Sequence, residues 1–365
     1  MKNIIKFLAK PVAAVSAAAL LACTTGCADT SWSFKTDNMT LSNGTYIYYT
    51  YMAYGEASSK VQESSESSES SESDILSKKI DNKSAEKWIA DKAKEECISQ
   101  LTIDRLIKEN KVNVDQSEVD VYTNYYEQFY ESYSSIYEKL GVSKKSYLAA
   151  TGTYTGLSDQ LFYSMYDKGG SKEVPTEDIE KYFKENYTNY FYIKYPLKTT
   201  DNDGKSTDID DSTKDNVKVN FAKYVNMLNK GSSTDDIVKQ YKTDFNVTDD
   251  PSTSDTVVLT DSGMGEELQK AIKDLKEKQA TVTTIGDTYY LIYKGAIADQ
   301  VSTLSDTSTQ INQRTKVLHK MKDDEFKSYL DEEEKKTSYE TNDACLSKYS
   351  VQRTVDIIKD LLNSQ

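Results

Sequence analysis

The chain is poor in the side chains that enzymes commonly use to bind metals and to transfer protons. Among its 365 residues there is one histidine, His319, and there are four cysteines. Zinc centres and histidine-based catalytic triads need more imidazole than a single ring supplies. We therefore expect neither a metal site nor a cofactor.

Cysteines that could form disulfide bonds are equally few. Only Cys97 and Cys345 lie beyond the first 27 residues, and two cysteines are too few for a disulfide scaffold. They either form one bridge across the chain or remain as two buried free thiols. We favour free thiols and leave the bridge open.

Basic residues are fewer than acidic ones, and long apolar segments are also scarce. The chain has 59 acidic and 45 basic residues, which gives a formal net charge of −14. An acidic surface repels phosphate backbones, so we expect no nucleic-acid partner. No segment after the N-terminal region approaches transmembrane length, so any membrane contact would come through an anchor in that region.

The N-terminal region has the pattern of a secretory signal. Three lysines precede an apolar run from Pro11 to Ala22, which is shorter than the ~20 residues that span a bilayer. A cysteine directly after Leu20-Leu21-Ala22 resembles the lipobox of bacterial lipoproteins, where the chain is cleaved and diacylated. We expect a signal peptide over 1–22 and a lipid anchor on Cys23, with Cys27 as the alternative anchor. An ordinary cleaved signal with an incidental cysteine is the competing interpretation.

Tyrosine is the residue in surplus, with 28 copies against 9 phenylalanines. Its apolar ring and hydroxyl suit a groove that holds varied peptides, but also half-buried helix positions. The clearest helical pattern ends at Gly141 and carries apolar residues at spacings of three and four. We expect this stripe to pack on neighbouring helices, and the wall of a peptide-binding groove is a compatible alternative. Its members are Val119, Tyr122, Tyr126, Phe129, Tyr133, Ile136 and Leu140.

The length allows two domains of ordinary size. Residues 23–189 are predicted to form a mostly helical domain, starting with a short strand at 31–35 and a helix from Thr40 to Ala57. A Ser/Glu run at 61–74 interrupts this domain and is predicted to be disordered, because it has too little apolar surface to offset the entropy of ordering. Residues 299–365 are again predicted to be helical.

The pattern changes at residue 190 to a mixture of strands and helices. The order over 190–298 is predicted as β-α-α-β-α-β-β, which makes this segment a compact α+β module inserted into the helical domain. The predicted helices lie at 217–230, 233–241 and 265–275, and the strands at 191–197, 256–259, 280–284 and 289–294.

Three motifs in this module resemble those of the parvulin-type peptidyl-prolyl isomerases. The strand that ends in Lys194-Tyr195-Pro196-Leu197 stands where that family has its first strand with a histidine. The segment from Gly263-Met264 to Leu268 looks like the family's Gly-Met-x-x-x-Phe turn into a helix. The segment from Gly286 through Tyr290 to Ile292 looks like its closing Gly-x-His-aliphatic strand. The helical flanks are similar to the chaperone region of PrsA- and SurA-like foldases.

The resemblance implies a site in which several family residues are replaced. The two family histidines correspond here to Tyr195 and Tyr290, and the family phenylalanine corresponds to Leu268. Met264 and Leu268 would bind the substrate proline. Because both histidines and the phenylalanine are replaced together, the resemblance implies weak or absent isomerase activity.

The sequence thus predicts a membrane-anchored extracytoplasmic foldase or chaperone that binds unfolded or nascent exported proteins. An active parvulin-type isomerase of the same architecture is the first alternative. A solute-binding lipoprotein is another, although such proteins have two lobes with repeated β-α alternation, and a purely structural surface lipoprotein is the last. The sequence leaves the client proteins and the oligomeric state open.

The lipid anchor is testable in the bacterial membrane. Mass spectrometry of the membrane-extracted protein should find a diacylated N-terminal cysteine at Cys23, and Cys23→Ser should release the protein from the membrane. Cys97→Ser is the matched control and should leave the protein anchored. Lipid on Cys27 would support the alternative anchor, and an unlipidated mature N-terminus would refute both.

Overall fold

The structure is a computed structural model that describes residues 31–63, 72–200, 204–305 and 312–363. The predicted signal peptide, Cys23, Cys27 and most of the Ser/Glu run lie outside the described residues. The chain divides into two compact units. The first comprises the described residues up to Lys172 together with those from Asp324 onward, and the second is Glu173–Asp323.

Helices dominate the first unit and flank the sheet of the second. Five lie before residue 173: α1 Asn43–Glu63, α2 Ala85–Glu109, α3 Gln116–Leu140, α4 Lys144–Leu148 and α5 Tyr154–Tyr166. The next four are α6 Thr176–Asn186, α7 Asp211–Asn229, α8 Thr234–Phe245 and α9 Glu266–Asp274. The last three are α10 Gln313–Glu334, α11 Asp343–Lys348 and α12 Val351–Asn363. Among the described helices, none is long and apolar enough to cross a membrane.

The strands are short, and every strand pair in the described residues is antiparallel. They are β1 Trp32–Lys35, β2 Thr40–Ser42, β3 Lys79–Ile80, β4 Lys83–Ser84, β5 Thr188–Pro196, β6 Lys198–Thr200, β7 Ser206–Asp208, β8 Ser252–Val257, β9 Gln279–Ile285, β10 Thr288–Lys294 and β11 Glu340–Thr341. The largest sheet has the order β8-β5-β10-β9 and belongs to the second unit. The described strands therefore lack the repeated parallel β-α units of a two-lobed solute-binding protein.

The α+β prediction is confirmed, with a helical unit built from N- and C-terminal segments and an inserted β-α-α-β-α-β-β module. The inserted unit runs from Glu173 to Asp323, whereas we expected 190–298. The difference arises because α6 packs on the short 3₁₀ segment Ile297–Ser305. Inside the module, the segment between β5 and α7 contains the hairpin β6–β7, held by pairs such as Thr199 with Thr207.

The start of the first unit differs from the predicted single helix. Residues Thr40–Ser42 form β2, which pairs with β1, and the helix begins only at Asn43. It then continues past the expected end to Glu63, because Ala57 and Val61 are buried on the face that packs on α2. The first three residues of the predicted disordered run are therefore helical, and a 3₁₀ turn begins at Glu72.

Cys97 and Cys345 are both buried free thiols in the first unit. The Cys345 thiol contacts the side-chain oxygen of Asn43. Burial raises the pKa of the Cys97 thiol well above its ordinary value, so the thiolate that could react is suppressed. The interpretation as free thiols agrees with the structure, and no bridge is present.

The segment between α4 and α5 is a π-helix, Ala149–Thr153. One extra residue in a helical turn leaves carbonyl groups without their usual partners. Gly152 in this segment and Gly156 in the first turn of α5 let the chain approach α3 closely. A Cβ atom on Gly152 would lie 2.6 Å from the Cα of Thr123, and one on Gly156 would lie 2.8 Å from the Cα of Val119.

Helices cover both faces of the four-stranded sheet in the second unit. On one face Phe191, Ile193 and Leu291 pack with Phe221 of α7 and Ile237 of α8. On the other face the buried side chains of Tyr190 and Ile292 pack with Leu268 and Ile272 of α9. Successive residues of each strand point to opposite faces of the sheet. Residues at odd and even positions of one strand therefore contact different helices.

The close approach at Gly152 gives a stability test. Gly152→Ala should destabilise the first unit by about 1–3 kcal/mol, because the new methyl group meets backbone atoms that cannot rotate away. Gly55→Ala is the matched control in α1. Nothing lies within 4 Å of a Cβ there, so it should stabilise the helix by up to about 1 kcal/mol.

Urea unfolding followed by tryptophan fluorescence measures both variants. Both tryptophans, Trp32 and Trp88, belong to the first unit, so the signal reports on that unit. Equal midpoints for Gly152→Ala and the unchanged chain would contradict the tight approach.

Candidate functional site

A groove of about 860 Å³ opens in the first unit between α1, α2, the π-helical segment and α5. Most of its lining is aromatic or apolar, and α1 contributes the largest part. The lining residues are Tyr48, Tyr49, Tyr51, Met52, Ala53, Tyr54, Gly55, Glu56, Ser58, Lys92, Glu96, Tyr126, Ala150, Thr151, Tyr154, Thr155 and Ile358. We call this site the tyrosine groove.

Side chains of α1 and α2 hydrogen-bond to the π-helical segment that lines the groove. The Gln100 side-chain amide donates to the Ala149 carbonyl at 2.8 Å. The Tyr49 hydroxyl lies 3.2 Å from both the Ala150 carbonyl and the Gln100 Oε1. Side chains of α1 and α2 thus hydrogen-bond to two carbonyls of the π-helical segment. This network joins three of the elements that line the groove.

A cluster of tyrosine rings supports the groove from behind. Tyr48 packs edge-on against Tyr147 with a centroid distance of 5.2 Å, and Tyr137 lies 4.9 Å from Tyr147. Tyr130 stacks on Tyr137 at 5.6 Å. Offset and edge-on aromatic pairs of this kind are stabilising beyond their buried area. The cluster gives the groove a rigid wall.

The predicted stripe on α3 divides between core and surface. Val119 and Leu140 are buried, as expected, but Phe129 is 42% and Tyr133 is 51% exposed. Tyr130 and Tyr137, which are not members of the stripe, are buried in their place. The packing interpretation is thus wrong for Phe129 and Tyr133. The 3.6-residue period rotates the buried face away from a strict three-and-four stripe over several turns.

The exposed side of α3 extends the apolar surface of the groove. It carries Val121, Tyr125, Phe129 and Tyr133, each between 42% and 56% exposed, and we call it the α3 outer face. The Tyr125 ring lies 5.4 Å from Tyr126, which lines the groove, and 5.0 Å from Phe129. Met52, also in the groove lining, is 50% exposed. Exposed apolar side chains that adjoin one another in this way mark an interaction surface.

The charged groups of the groove are mostly acidic. Glu56 and Glu96 line it together with Lys92, whose Nζ lies 3.9 Å from Glu96. Burial raises the pKa of the Glu96 carboxyl; Lys92 works against this shift, and Glu95 and Glu56 add to it. Burial also raises the pKa of Tyr154 to about 12, so its hydroxyl is neutral and available for hydrogen bonding.

The structure does not bring the four site residues predicted in the second unit together. Tyr290, Met264 and Leu268 belong to the cluster on the α9 face of the sheet. Tyr195 belongs to the opposite face, where it packs 5.5 Å from Phe245. The register explains the separation, because Tyr195 lies opposite Tyr289 and not opposite Tyr290. Tyr195 and Tyr290 therefore lie on opposite faces of the sheet.

The partner of Tyr290 that sequence reasoning missed is Tyr192. Their rings lie 5.8 Å apart and nearly perpendicular, diagonally across β5 and β10. The period-two alternation of β5 could have shown that Tyr192 and Tyr195 point to opposite faces. The sequence offered no means of telling which of these faces α9 would cover.

The cluster on the α9 face is closely packed, and His319 is not one of its members. Leu268 is 6% exposed, and Met264, Tyr192 and Tyr290 are partly buried against it. His319 lies on α10, where its Nδ1 is 2.7 Å from an Asp323 oxygen. No group of three or more His, Cys, Asp or Glu within the described ranges is placed to hold a metal ion.

Comparison with known proteins gives structural neighbours alone. No protein-family model matches the chain, and no curated protein matches it. The chain is similar to the foldase protein PrsA of Streptococcus pneumoniae, with 16% identity, coverage of 67% of this chain and 84% of that one, and a TM-score of 0.35. It is also similar to PrsA of Bacillus subtilis, with 18% identity, coverage of 74% and 84%, and a TM-score of 0.29. A likeness of this size assigns no activity to the chain.

Proposed function

We propose that the first unit binds unfolded polypeptide segments in the tyrosine groove and on the adjoining α3 outer face. The observation that carries the proposal is the continuity of these two surfaces through Tyr126 and Tyr125. An unfolded segment presents apolar side chains without a fixed shape. A rigid aromatic surface with solvent-exposed hydroxyls can bind many such segments, because it does not require one particular sequence of side chains in the segment.

The size of the surface is adequate for transient binding. Burying one large apolar side chain is worth ~1.5–3 kcal/mol, so two or three contacts suffice for reversible capture after the cost of ordering the segment. Reversible capture suits a chaperone, which must release its client. The protein would act as a holdase or foldase and not as an enzyme with a covalent step.

We further propose that the protein works outside the cytoplasm on exported chains, held to the bacterial membrane by lipid on Cys23 or Cys27. The N-terminal lysines, apolar run and lipobox-like cysteine support this location. A tether raises the effective concentration of the groove where unfolded chains leave the membrane. Binding at the groove does not depend on which cysteine is lipidated.

Prolyl isomerase activity in the second unit is proposed to be weak or absent. A site can lower the ~20 kcal/mol barrier of prolyl isomerisation by holding the twisted amide and packing the ring in an apolar pocket. Here Leu268 is buried beneath Tyr290 and Met264. A substrate proline would have to displace these packed side chains.

Binding of clients is tested by aggregation of a reduced, unfolded secreted protein followed by light scattering. Equimolar unchanged protein should suppress aggregation. Met52→Asp combined with Phe129→Asp should abolish most of this effect, because both side chains are exposed and their replacement charges the apolar surface. Circular dichroism would verify that the variant keeps its fold.

The matched control places the same change on the second unit. Val219 and Val247 are 68% and 41% exposed there, so Val219→Asp with Val247→Asp alters a similar amount of exposed apolar surface. This variant should suppress aggregation as well as the unchanged protein. No suppression by the unchanged protein, or equal loss in both variants, would refute the proposed surface.

The isomerase prediction is tested with a protease-coupled assay on an X-Pro peptide. The observed rate should stay close to the uncatalysed one, on the order of one event in 10–100 s at 25 °C. Tyr290→Ala and Met264→Ala should not change it. A clear acceleration that Met264→Ala abolishes and Tyr195→Ala leaves intact would establish an active site on the α9 face.

A further inference from the structure

The tyrosine groove is acidic at the end where Tyr154 lies. Glu56 on α1 and Glu96 on α2 line the groove. Glu334 lies near Tyr154 and Glu96, and Ser99 hydrogen-bonds with both Glu334 and Tyr154. Glu334 lies outside the groove lining, so we call Glu56 and Glu96 the acidic end of the groove.

These carboxylates are poorly compensated by basic side chains. Lys92 is the lysine in the groove lining, and it is shared between Glu95 at 3.8 Å and Glu96 at 3.9 Å. Burial raises the pKa of both Glu96 and Glu334, and neighbouring carboxylates, Asp331 among them, raise it further. A cation brought by a ligand would therefore meet several negative charges and one competing positive charge.

The other groups at this end also favour a cation. The Tyr154 ring lines the groove near Glu96. Aromatic faces attract ammonium and guanidinium groups, and the aliphatic stem of a lysine or arginine packs on apolar surface. The rest of the groove, with Met52 and Tyr126, offers apolar surface to an adjacent aromatic or aliphatic residue.

We propose that the groove selects unfolded segments in which lysine or arginine lies next to an aromatic or aliphatic residue. The apolar side chain occupies the part lined by Met52 and Tyr126, and the basic side chain reaches the acidic end. Acidic segments are repelled from the same place. The inference rests on the proposed function, because it describes which segments that binding surface prefers.

Three fluorescent 12-residue peptides test the preference. They share a Phe-Leu-Phe centre in a neutral background and differ at two flanking positions, which carry Lys, Gln or Glu. Binding to the chain from residue 28 onward, which retains every described residue, is measured by fluorescence anisotropy at low and high salt. The Lys peptide should bind about fivefold more tightly than the Gln peptide at low salt, as expected for exposed ion pairs. The Glu peptide should bind more weakly, and salt should reduce both differences.

The decisive variant is Glu56→Gln combined with Glu96→Gln. It should bind the Lys and Gln peptides with equal affinity. The control, Glu266→Gln with Glu267→Gln, changes the net charge by the same amount at exposed positions on α9. It should keep the full preference.

Each outcome has a defined meaning. Equal binding of the Lys and Gln peptides to the unchanged chain would overturn the inference and leave the proposed function standing. A preference for the Lys peptide that persists in the groove variant would also overturn the inference, because Glu56 and Glu96 would not be its source. Loss of the preference in the α9 control would overturn it as well, because net charge would then be the cause. Failure of the neutral Gln peptide to bind would refute the proposed function itself, and the inference with it.

Discussion

The packing of the first unit depends on the hydrogen bonds made to the backbone carbonyls of the π-helical segment between α4 and α5. A buried backbone carbonyl without a partner costs free energy comparable to a lost hydrogen bond. Gln100 and Tyr49 supply hydrogen bonds to this segment from two different helices. Because the same side chains line or support the groove, the arrangement that satisfies the backbone also builds the site. The glycines at 152 and 156 allow α3 to close against it.

Tyrosine serves this arrangement better than phenylalanine would. Rings such as Tyr48 and Tyr147 pack into the cluster behind the groove, while hydroxyls such as that of Tyr49 reach backbone carbonyls. Tyr125 and Tyr133 instead remain exposed on α3, where a hydroxyl lowers the cost of contact with water. One residue type thus supplies both a packed wall and an open surface. The surplus of tyrosine is explained by this double use.

The second unit shows how the alternation of side chains along a strand decides which residues share one face of the sheet. The faces of the central strands β5 and β10 are covered by different helices, α7 and α8 on one side and α9 on the other. Tyr192 and Tyr195 are three positions apart and therefore belong to different faces. The result is a closely packed cluster around Leu268. This is why we place binding in the first unit and assign little catalysis to the second.

The sequence by itself determined the fold class, the insertion of the mixed module and most of its elements, because period-two and period-3.6 patterns are local properties of the chain. It also pointed to tyrosine as the residue of interest, and it favoured free thiols at Cys97 and Cys345. Only the tertiary structure decided which aromatic side chains are buried, since Phe129 is exposed on α3 and the adjacent Tyr130 is buried. It likewise decided that Tyr290 meets Tyr192 and that Glu56 and Glu96 share a groove. Such neighbours come from distant segments, and their contact depends on register and helix packing, which no local pattern encodes.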